Sequence, residues 1–469
     1  MHSVTPITLA GLGMFALAST SSVTADDDDI IFQDRLEVIE IQRPGTVAER
    51  VIPRSVLGGD SPNAIKAFGD KAAFTLTPTL NREIWFADGN EDGTVVVELP
   101  EGFRSVTVRG AVVQGGRIYF ISSQANNVPA IWASDGTQAN TELVMDGNEL
   151  GLSGPIGELT AVADAIFFHN NTAQGRKLFR LNEQQPGGAE AITGVRVNVS
   201  TSRAMTAFDN RLFVGGRLDG TPGVISVMPD GTSTLTWQLE GGQGPFPLSE
   251  PGSLTTMGGN VYFSASGGEG VALWRIGSAG AAQRLFNPSD SAEQMRGAEN
   301  LVAANGRLYF VTRRWNPDIE DFESGTRLAL SEGSPNSTNW FWPPATESPL
   351  SNGANMPTAA FGQRLLFLNL VTNGTVSSTD QKFYGDQGNI RPDHTVPGEG
   401  GLWLTATSGQ HIAFAGFEAG TSFAVTEPEN LWINSNAVNL AMVDGLPWFI
   451  GRTFGQSFEI WRMAPEESD

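Results

Sequence analysis

The sequence predicts an all-β fold built from repeated units, and a recurring hairpin is the first observation behind this prediction. A glycine turn followed by an apolar, aromatic strand occurs at residues 115–120, 258–263 and 305–310. Gly-Gly and Asn-Gly dipeptides supply the positive φ angles that a two-residue hairpin needs. Looser copies of the pattern end at Phe74, Phe168, Phe213, Phe367, Phe414 and Phe449. The chain is therefore expected to contain nine hairpins, mostly spaced by roughly 45 to 50 residues.

The second observation concerns the residues after each hairpin. A third apolar strand recurs with a tryptophan near its end, as at Trp85, Trp132, Trp274 and Trp461. A second turn, such as residues 134–137, leads to a fourth strand, such as residues 141–145. Four short strands in every unit of this length are typical of a β-propeller blade. The sequence thus predicts a single all-β propeller of four-stranded blades. Nine hairpins favour nine blades, and merging two units between Phe310 and Phe449 would give eight.

The ends of the chain indicate how the ring closes. The last unit stops near Trp461 with three strands, and residues 36–41 alternate like a strand without a hairpin partner. Pairing this N-terminal strand with the last unit would complete the final blade and remove an exposed sheet edge.

One unit carries a family resemblance. Residues 131–141 read Ile-Trp-Ala-Ser-Asp-Gly-Thr-Gln-Ala-Asn-Thr, which resembles the ELWxSDGTxxGT repeats of bacterial secreted proteins. Residues 84–94 and 328–338 follow the same pattern more loosely. The resemblance implies a propeller-like fold and a location outside the cytoplasm. It implies no catalytic residues, because the motif of this family is structural.

The first residues predict export. Residues 7–18 are apolar and are followed by small residues up to Ala25, which fits a signal peptide over residues 1–25. The run is shorter than the roughly 20 apolar residues that span a bilayer. A buried N-terminal strand is the alternative interpretation. Residues 26–34 then form an acidic extension and residues 35–469 the propeller, so we expect a secreted or periplasmic protein without membrane insertion.

Composition excludes several classes of function. The chain has no cysteine, which removes disulfides, thiolate metal sites, cysteine nucleophiles and a lipoprotein anchor. Its formal net charge is −22, and such a surface repels phosphate backbones. Nucleic acid and anionic membranes are therefore poor partners. Composition gives no indication of the oligomeric state.

A metal site and a cofactor are not predicted. Residues 88–93, Asp-Gly-Asn-Glu-Asp-Gly, resemble a calcium loop, in which alternate carboxylates surround a hard cation. However, Val96 and Leu99 stand where two further ligands are needed, and the same residues align with the ordinary turn of the repeat. No histidine pair has metal-ligand spacing, and no Gly-x-Ser-x-Gly motif is present.

Two interruptions of the repeat supply the candidate binding site. Residues 313–323 and 371–401 each come after the second strand of successive units, so we expect them side by side on one rim. Long loops on a rigid repeat frame often carry binding, although insertions without a ligand are also tolerated there. An aromatic ring with arginines and carboxylates around it suits a sugar or a peptide. The candidate ligand-binding residues are Arg313, Arg314, Trp315, Asp318, Glu320, Asp321, Arg391, Asp393 and His394.

These features favour a non-catalytic binding or scaffold protein that engages a glycan or an envelope protein through this rim. The alternative is a carbohydrate-active hydrolase or lyase that uses Asp and Glu residues around the propeller channel. A purely structural component of a matrix or surface layer is a third interpretation. An enzyme should bring together carboxylates with strongly shifted pKa values, whereas a binding protein should present an open groove of aromatic and arginine side chains.

Overall fold

The chain folds into antiparallel sheets that follow one another along the sequence. Within the described residues, helical structure is limited to short 3-10 turns, of which Pro186–Gly188 is described in full. The computed structural model describes residues 44–52, 57, 60–77, 82–90, 93–124, 127–197, 205–239, 252–266, 271–277, 280, 282–285, 295–304, 306–316, 321–322, 327–335, 337–342, 357–361, 364–368, 376–378, 390–398, 401–406, 412–416, 423–424, 431–433, 440–453 and 458–465.

An N-terminal strand precedes two regular four-stranded units, in which each strand pairs with the next. The N-terminal strand is β1 (Pro44–Ile52). The first unit contains β2 (Ser61–Phe68), β3 (Lys71–Thr77), β4 (Glu83–Ala87) and β5 (Val95–Glu98). The second unit contains β6 (Arg104–Gln114), β7 (Arg117–Ser123), β8 (Pro129–Ser134) and β9 (Glu142–Asp146).

The third and fourth units share one sheet. The third unit contains β10 (Thr160–Val162), β11 (Ala165–Thr172), β12 (Gly175–Leu181) and β13 (Ala189–Val197). The fourth unit contains β14 (Met205–Phe208), β15 (Arg211–Leu218), β16 (Thr221–Val227) and β17 (Ser233–Gln238). Because β13 pairs with β12 on one side and with β15 on the other, the two units form an eight-stranded sheet.

The fifth and sixth units are separate sheets. The fifth unit contains β18 (Gly252–Met257), β19 (Asn260–Ser266), β20 (Val271–Ile276) and β21 (Ala282–Arg284). The sixth unit contains β22 (Met295–Ala304), β23 (Arg307–Asn316), a short β24 (Asp321–Phe322), β25 (Arg327–Ser331) and β26 (Asn339–Trp342). Strand β24 pairs only with the end of β23 among the described strands, so it extends the sheet at one corner.

The last three units lead back to the N-terminus. The seventh contains β27 (Pro357–Phe361), β28 (Arg364–Leu368) and β29 (Val376–Ser378). The eighth contains β30 (Ile390–Gly398), β31 (Gly401–Ala406), β32 (Ile412–Gly416) and β33 (Phe423–Ala424). The ninth contains β34 (Leu431–Ile433), β35 (Leu440–Val443), β36 (Leu446–Thr453) and β37 (Glu459–Pro465).

Closure by an N-terminal strand is confirmed. Strand β1 pairs antiparallel with β37, with Ala48 opposite Met463 and Arg50 opposite Trp461. The strand that performs the closure is therefore Pro44–Ile52, and the residues 36–41 that the alternation favoured lie outside the described part of the chain.

The units follow one another around a ring. The first strand of each unit contacts the first strand of the next. In the last unit this position is held by β35, which contacts β30 of the eighth unit and β2 of the first. This cyclic order, with successive strands of each unit running outward, is the arrangement of a β-propeller. The predicted fold class is therefore confirmed. Nine such first strands occur among the described residues. The blade number of the whole ring, eight or nine, stays a prediction, because the seventh unit has three described strands and two units share a sheet.

Apolar residues from neighbouring units form the core between them. Phe74 and Trp85 of the first unit, for example, pack in one cluster with Trp448 and Ile460 of the last. The recurring aromatic residues of the sequence take part in this packing. Trp85, Trp132, Trp461, Tyr262 and Tyr309 are buried, while Trp274 and Tyr119 are half-buried.

One hairpin was assigned to the wrong strands. Phe414 lies on β32, the third strand of the eighth unit, rather than on a second strand. The first hairpin of this unit is formed by β30 and β31, where Gly398 pairs with Gly401. The sequence pattern missed this hairpin because its second strand carries Trp403 instead of the expected Phe. This assignment also explains the unusually short step from Phe414 to Phe449.

Candidate functional site

The first predicted insertion is an extension of a sheet. Strand β23 runs past the other strands of its unit, and its end pairs with β24, so that Trp315 lies opposite Phe322 and Asn316 opposite Asp321. We call residues 313–316 together with residues 321–322 the extended hairpin. Arg313 on this hairpin is exposed. The candidate residues Asp318 and Glu320 lie outside the described residues.

Arginines occupy neighbouring register positions at the base of the extended hairpin. Arg313 of β23 lies directly opposite Arg296 of β22, and Arg314 lies opposite Met295. On the other side of β23, Thr312 lies opposite Arg327 of β25, which is buried. Three strands therefore contribute arginines to the region from which the hairpin extends.

The second predicted insertion is not one loop. Arg391, Asp393 and His394 lie in β30, the first strand of the eighth unit, and residues 376–378 form the third strand of the seventh. The expectation of a loop after a second strand was therefore wrong here. The ladder between β30 and β31 breaks between Ile390 and Thr395, so the three candidates occupy a bulge. A bulge tolerates a proline such as Pro392. The proline and glycine residues of this segment are the feature that indicated a loop.

Both candidate groups lie at the same face of the propeller. In an antiparallel unit the start of a first strand and the end of a second strand meet at one edge. We call this edge the loop face, and it also carries the turns that follow Thr172 and Leu218. The two groups belong to the sixth and eighth units, with the seventh unit between them in ring order, so they are not immediate neighbours.

Three aspartates that precede glycines serve as turn caps. The Asp135 carboxylate accepts hydrogen bonds from the Thr137 backbone N–H at 2.9 Å and hydroxyl at 2.7 Å, and from the Asn140 amide at 2.6 Å. Asp230 accepts from the Thr232 N–H at 2.8 Å. Hydrogen bonds from Thr137 and Asn140 lower the pKa of Asp135, and those from Thr232 lower the pKa of Asp230. A general acid needs a raised pKa instead.

The calcium-like segment has the same geometry as these turns. The Asp88 carboxylate accepts a hydrogen bond from the Asn90 N–H at 2.9 Å, two residues further along the chain, as Asp135 and Asp230 do in their own turns. Within the described residues, which omit positions 91 and 92, no three His, Asp or Glu side chains cluster as metal ligands would. The Asp88 turn is accordingly interpreted as a structural turn of the repeat.

The glycine of each such turn packs against the preceding unit. Arg180 of the third unit donates to the Pro229 carbonyl oxygen at 2.6 Å, in the turn of the fourth. Arg275 of the fifth unit donates to the Gly333 carbonyl oxygen at 3.0 Å, in the turn of the sixth. In the first unit, a side chain on Gly89 would meet the guanidinium of Arg462 from the ninth. The recurring motif therefore fastens one unit to the next.

These arginines were not predicted, although the sequence carries a signal for them. Each directly follows the aromatic residue of a third strand, as in Phe179-Arg180, Trp274-Arg275 and Trp461-Arg462. Each is held by a neighbouring acceptor on the outer strand of its own unit: Glu190, Gln283 and Glu49 respectively. The next unit in the ring carries an Asp-Gly or Glu-Gly turn in all three cases, so the arginine and the turn occur together.

His169 makes stability depend on pH. It is half-buried on β11, and burial together with the positive charge of Arg176 lowers its pKa. Below the ordinary histidine pKa of about 6.5, the unfolded chain takes up a proton that the folded chain resists. We therefore expect the free energy of unfolding to decrease as the pH drops below about 6.5. Above that pH, His169 should not affect the stability.

A His169→Gln variant tests this expectation. Urea unfolding at pH 5.5 and pH 7.5 should show a smaller difference between the two pH values for the variant than for the unmodified protein. Equal differences for both proteins would contradict the assignment of the pH dependence to His169.

Comparisons with known proteins concern the fold. No protein-family model and no curated protein matches the sequence. The β-propeller domain of the Trilobed protease from Pyrococcus furiosus is 11% identical, with 87% of this chain and 97% of that chain covered and a TM-score of 0.39. Citrobacter koseri AztD is 12% identical, with 83% and 97% covered and a TM-score of 0.37.

A third similar structure is longer than this chain. The puromycin-hydrolyzing peptidase of Mycobacterium tuberculosis is 11% identical with a TM-score of 0.38, and the alignment covers 76% of this chain. This chain spans only 60% of the length of that peptidase. Separately, no helix in the described part of the chain is long and apolar enough to cross a membrane.

Proposed function

We propose that this protein is a secreted or periplasmic, non-catalytic binding protein that engages a glycan through the loop face of its propeller. The observation that carries the proposal is the extended hairpin. Arg313 and Arg314 pair with β22 near the end of β23, and the next residue, Trp315, pairs with β24, so all three lie where the sheet is extended. Binding residues are commonly presented in this way, on a segment that projects from a fixed frame.

The charge of the hairpin favours an acidic glycan. Arg313 is exposed, and the register places Arg296 directly opposite it, in a chain whose net charge is −22. Arginine binds carboxylate and sulfate groups through paired hydrogen bonds, and an aromatic ring such as that of Trp315 suits the apolar face of a sugar. A polysaccharide with acidic groups combines both requirements.

Export is part of the proposal and rests on the N-terminal sequence. Residues 7–25 have the apolar run and small residues of a signal peptide. The resemblance of residues 131–141 to repeats of bacterial secreted proteins supports the same location. Mass determination of the N-terminus of the protein purified from its host would test it, with a start at Asp26 as the expected result.

The hydrolase or lyase alternative gains no support from the described residues. Among the carboxyl groups in the described part of the chain, those of Asp135 and Asp230 have pKa values held below the ordinary range by hydrogen bonds. Both groups are caps of structural turns rather than members of a converging pair. The enzymatic interpretation therefore remains an alternative prediction.

A thermal-shift screen tests the binding proposal. The chain starting at Asp26 would be heated with acidic and neutral polysaccharides, each at a series of concentrations. A ligand present at 100 times its dissociation constant stabilises a protein by about 2.7 kcal/mol, which moves the melting temperature visibly. We expect stabilisation by an acidic polysaccharide and loss of this effect in Trp315→Ala and Arg313→Ala variants.

Arg211→Ala provides the matched control. Arg211 is also an exposed arginine, but it stands at the start of a second strand, at the edge opposite the loop face. This variant should respond to the polysaccharide like the unmodified protein. A screen without any shift, or a shift that survives both hairpin substitutions, would contradict the proposal and would direct attention to an envelope protein as partner.

A further inference from the structure

A row of three basic residues crosses the sheet shared by the third and fourth units. Lys177 of β12 lies directly opposite Arg196 of β13, and Arg196 lies directly opposite Arg217 of β15. We call these three residues the cationic row. It exists because β13 pairs with both neighbouring strands, which brings basic residues from two units into one line. The turns next to Lys177 and Arg217 place the row near the loop face.

The row is unusual for this protein. Like charges directly opposite each other in a sheet destabilise it, and the chain as a whole is strongly acidic. The other end of the same strand pair shows the ordinary arrangement, because Arg180 of β12 lies opposite Glu190 of β13 and forms an ion pair with it. The positive charges of the row are therefore not a general property of these strands.

The described part of the chain supplies little negative charge to balance the row. Neither Lys177 nor Arg196 forms an ion pair with a described carboxylate; the Lys177 ammonium donates to the side-chain oxygen of Gln174 at 2.5 Å. Arg217 donates to the Gly220 carbonyl oxygen at 3.2 Å and has further interactions. One acidic residue lies beside the row. The Asp219 N–H donates to the Gly194 carbonyl oxygen at 3.0 Å, and the Asp219 carboxylate packs against Gly194 at the edge of the row.

The centre of the row faces outward. Val195 and Val197, which flank Arg196, are buried in the core between the third and fourth units. Successive residues of a strand point to opposite sides of the sheet, so Arg196 points away from this core, and it is exposed. Lys177 shares that side because residues directly opposite each other point the same way.

A pocket opens beside the row. The ladder between β12 and β13 breaks between Lys177 and Phe179, and residues 192–195 form a bulge in which Gly194 has a φ of +75°. The bulge leaves a pocket of about 440 Å³ whose lining includes Gln174, Lys177, Thr193 and Arg196. Bulges often redirect side chains next to binding sites. Two cations, an amide and a hydroxyl thus border one open space.

We propose that the cationic row and this pocket form a binding site for an oxyanion, the carboxylate or sulfate group of a small acidic ligand. Arg196 would bind the anion through its planar guanidinium, with Lys177 as a second charge and Thr193 as a hydroxyl donor. A bound anion would also relieve the repulsion between the opposed cations. The site is separate from the extended hairpin and does not depend on the function proposed for that hairpin.

Calorimetric titration of the chain starting at Asp26 tests the proposal, with trigalacturonate as the carboxylate probe and inorganic sulfate as the sulfate probe. Saturable binding of at least one probe is expected, weakening as sodium chloride is raised. Arg196→Gln and Lys177→Gln should each weaken it at least tenfold, whereas Arg211→Gln and Trp315→Ala should leave it unchanged. The absence of saturable binding, or equal binding by the Arg196 and Lys177 variants, would overturn the proposal.

A charge reversal supplies a second readout that needs no ligand. In Arg196→Glu, a carboxylate would stand between Lys177 and Arg217, so repulsion across the row would become attraction. We expect this variant to lose anion binding and to melt at a higher temperature than the unmodified protein when no anion is added. A lower melting temperature would show that the row is not under repulsion, and it would overturn the inference.

Discussion

A chain that begins after β1 is expected to lose much of the stability of the whole propeller. Removing residues 1–52 takes away the partner of β37 and the buried side chains of Val51 and Ile52. Both belong to the core cluster that joins the first and last units. Deleting a buried isoleucine side chain alone typically costs about 2–5 kcal/mol, and the exposed edge of β37 adds a template for aggregation. Since the two side chains and the strand pairing are lost together, we expect a loss of at least about 4 kcal/mol.

The measurement is urea unfolding of three chains that start at Asp26, Arg43 and Pro53. The chain from Arg43 keeps β1 and serves as the control for loss of the preceding residues. It should unfold at the same urea concentration as the chain from Asp26, while the chain from Pro53 should unfold much earlier or aggregate. Equal midpoints for all three chains would show that β1 does not hold the ring closed.

A single substitution distinguishes the loss of ring closure from the effect of shortening the chain. Ile52 is fully buried and lies opposite Ile460, so Ile52→Asp places a charge in the cluster between the first and last units. Burying an unpaired carboxylate is strongly unfavourable. The full-length variant should therefore approach the behaviour of the chain from Pro53.

The hairpins could be predicted because their determinants are local. Gly115 and Gly116 have φ values of +59° and +73°, as the Gly-Gly dipeptide indicated, and Gly258 and Gly259 repeat this geometry at +51° and +73°. The recurring tryptophans likewise marked the third strands correctly at Trp85, Trp132, Trp274 and Trp461. Turn chemistry and alternation are thus sufficient to place strands within a unit.

Contacts between distant residues determine the features that could not be predicted. The ion pair of Glu49 with Arg462 joins residues 413 positions apart, and no local pattern marks Pro44–Ile52 as the closing strand. The same holds for the cationic row. Lys177, Arg196 and Arg217 lie on three different strands and are not close to one another in the sequence. They become neighbours only because β13 pairs with both β12 and β15.

The position of the first interruption could be predicted from the sequence, whereas its role in binding stays a prediction. The repeat is visibly interrupted at this point of the sequence. The extended hairpin found there carries Arg313, Arg314, Trp315 and Asp321. The assignment of residues 391–394 to a loop failed because proline and glycine indicate a loop and a bulged strand equally well. Only pairing with β31 distinguishes these two structures.

Gly188→Ala is expected to lower the stability of the protein more than most other glycine substitutions. The reason is that Gly188 lies where a turn of the third unit packs against the second unit. Gly188 ends the turn between β12 and β13 with a φ of +75°, and an added methyl group would lie 1.7 Å from the Val144 carbonyl oxygen of the second unit. A backbone atom cannot move aside as a side chain can, so the third unit must shift away from the second. Such overpacking typically costs about 1–3 kcal/mol.

Gly220→Ala serves as the control that has the backbone strain of Gly188→Ala without the contact to the neighbouring unit. Gly220 has a φ of +84° in the turn between β15 and β16, and an added methyl group would meet nothing within 4 Å. Both variants place alanine at a positive φ, which costs about 1–3 kcal/mol at either position. The urea midpoint of Gly188→Ala should therefore lie clearly below that of Gly220→Ala, with unchanged slopes. Equal midpoints would mean that turns contribute only local geometry, and that apolar packing alone holds neighbouring units together.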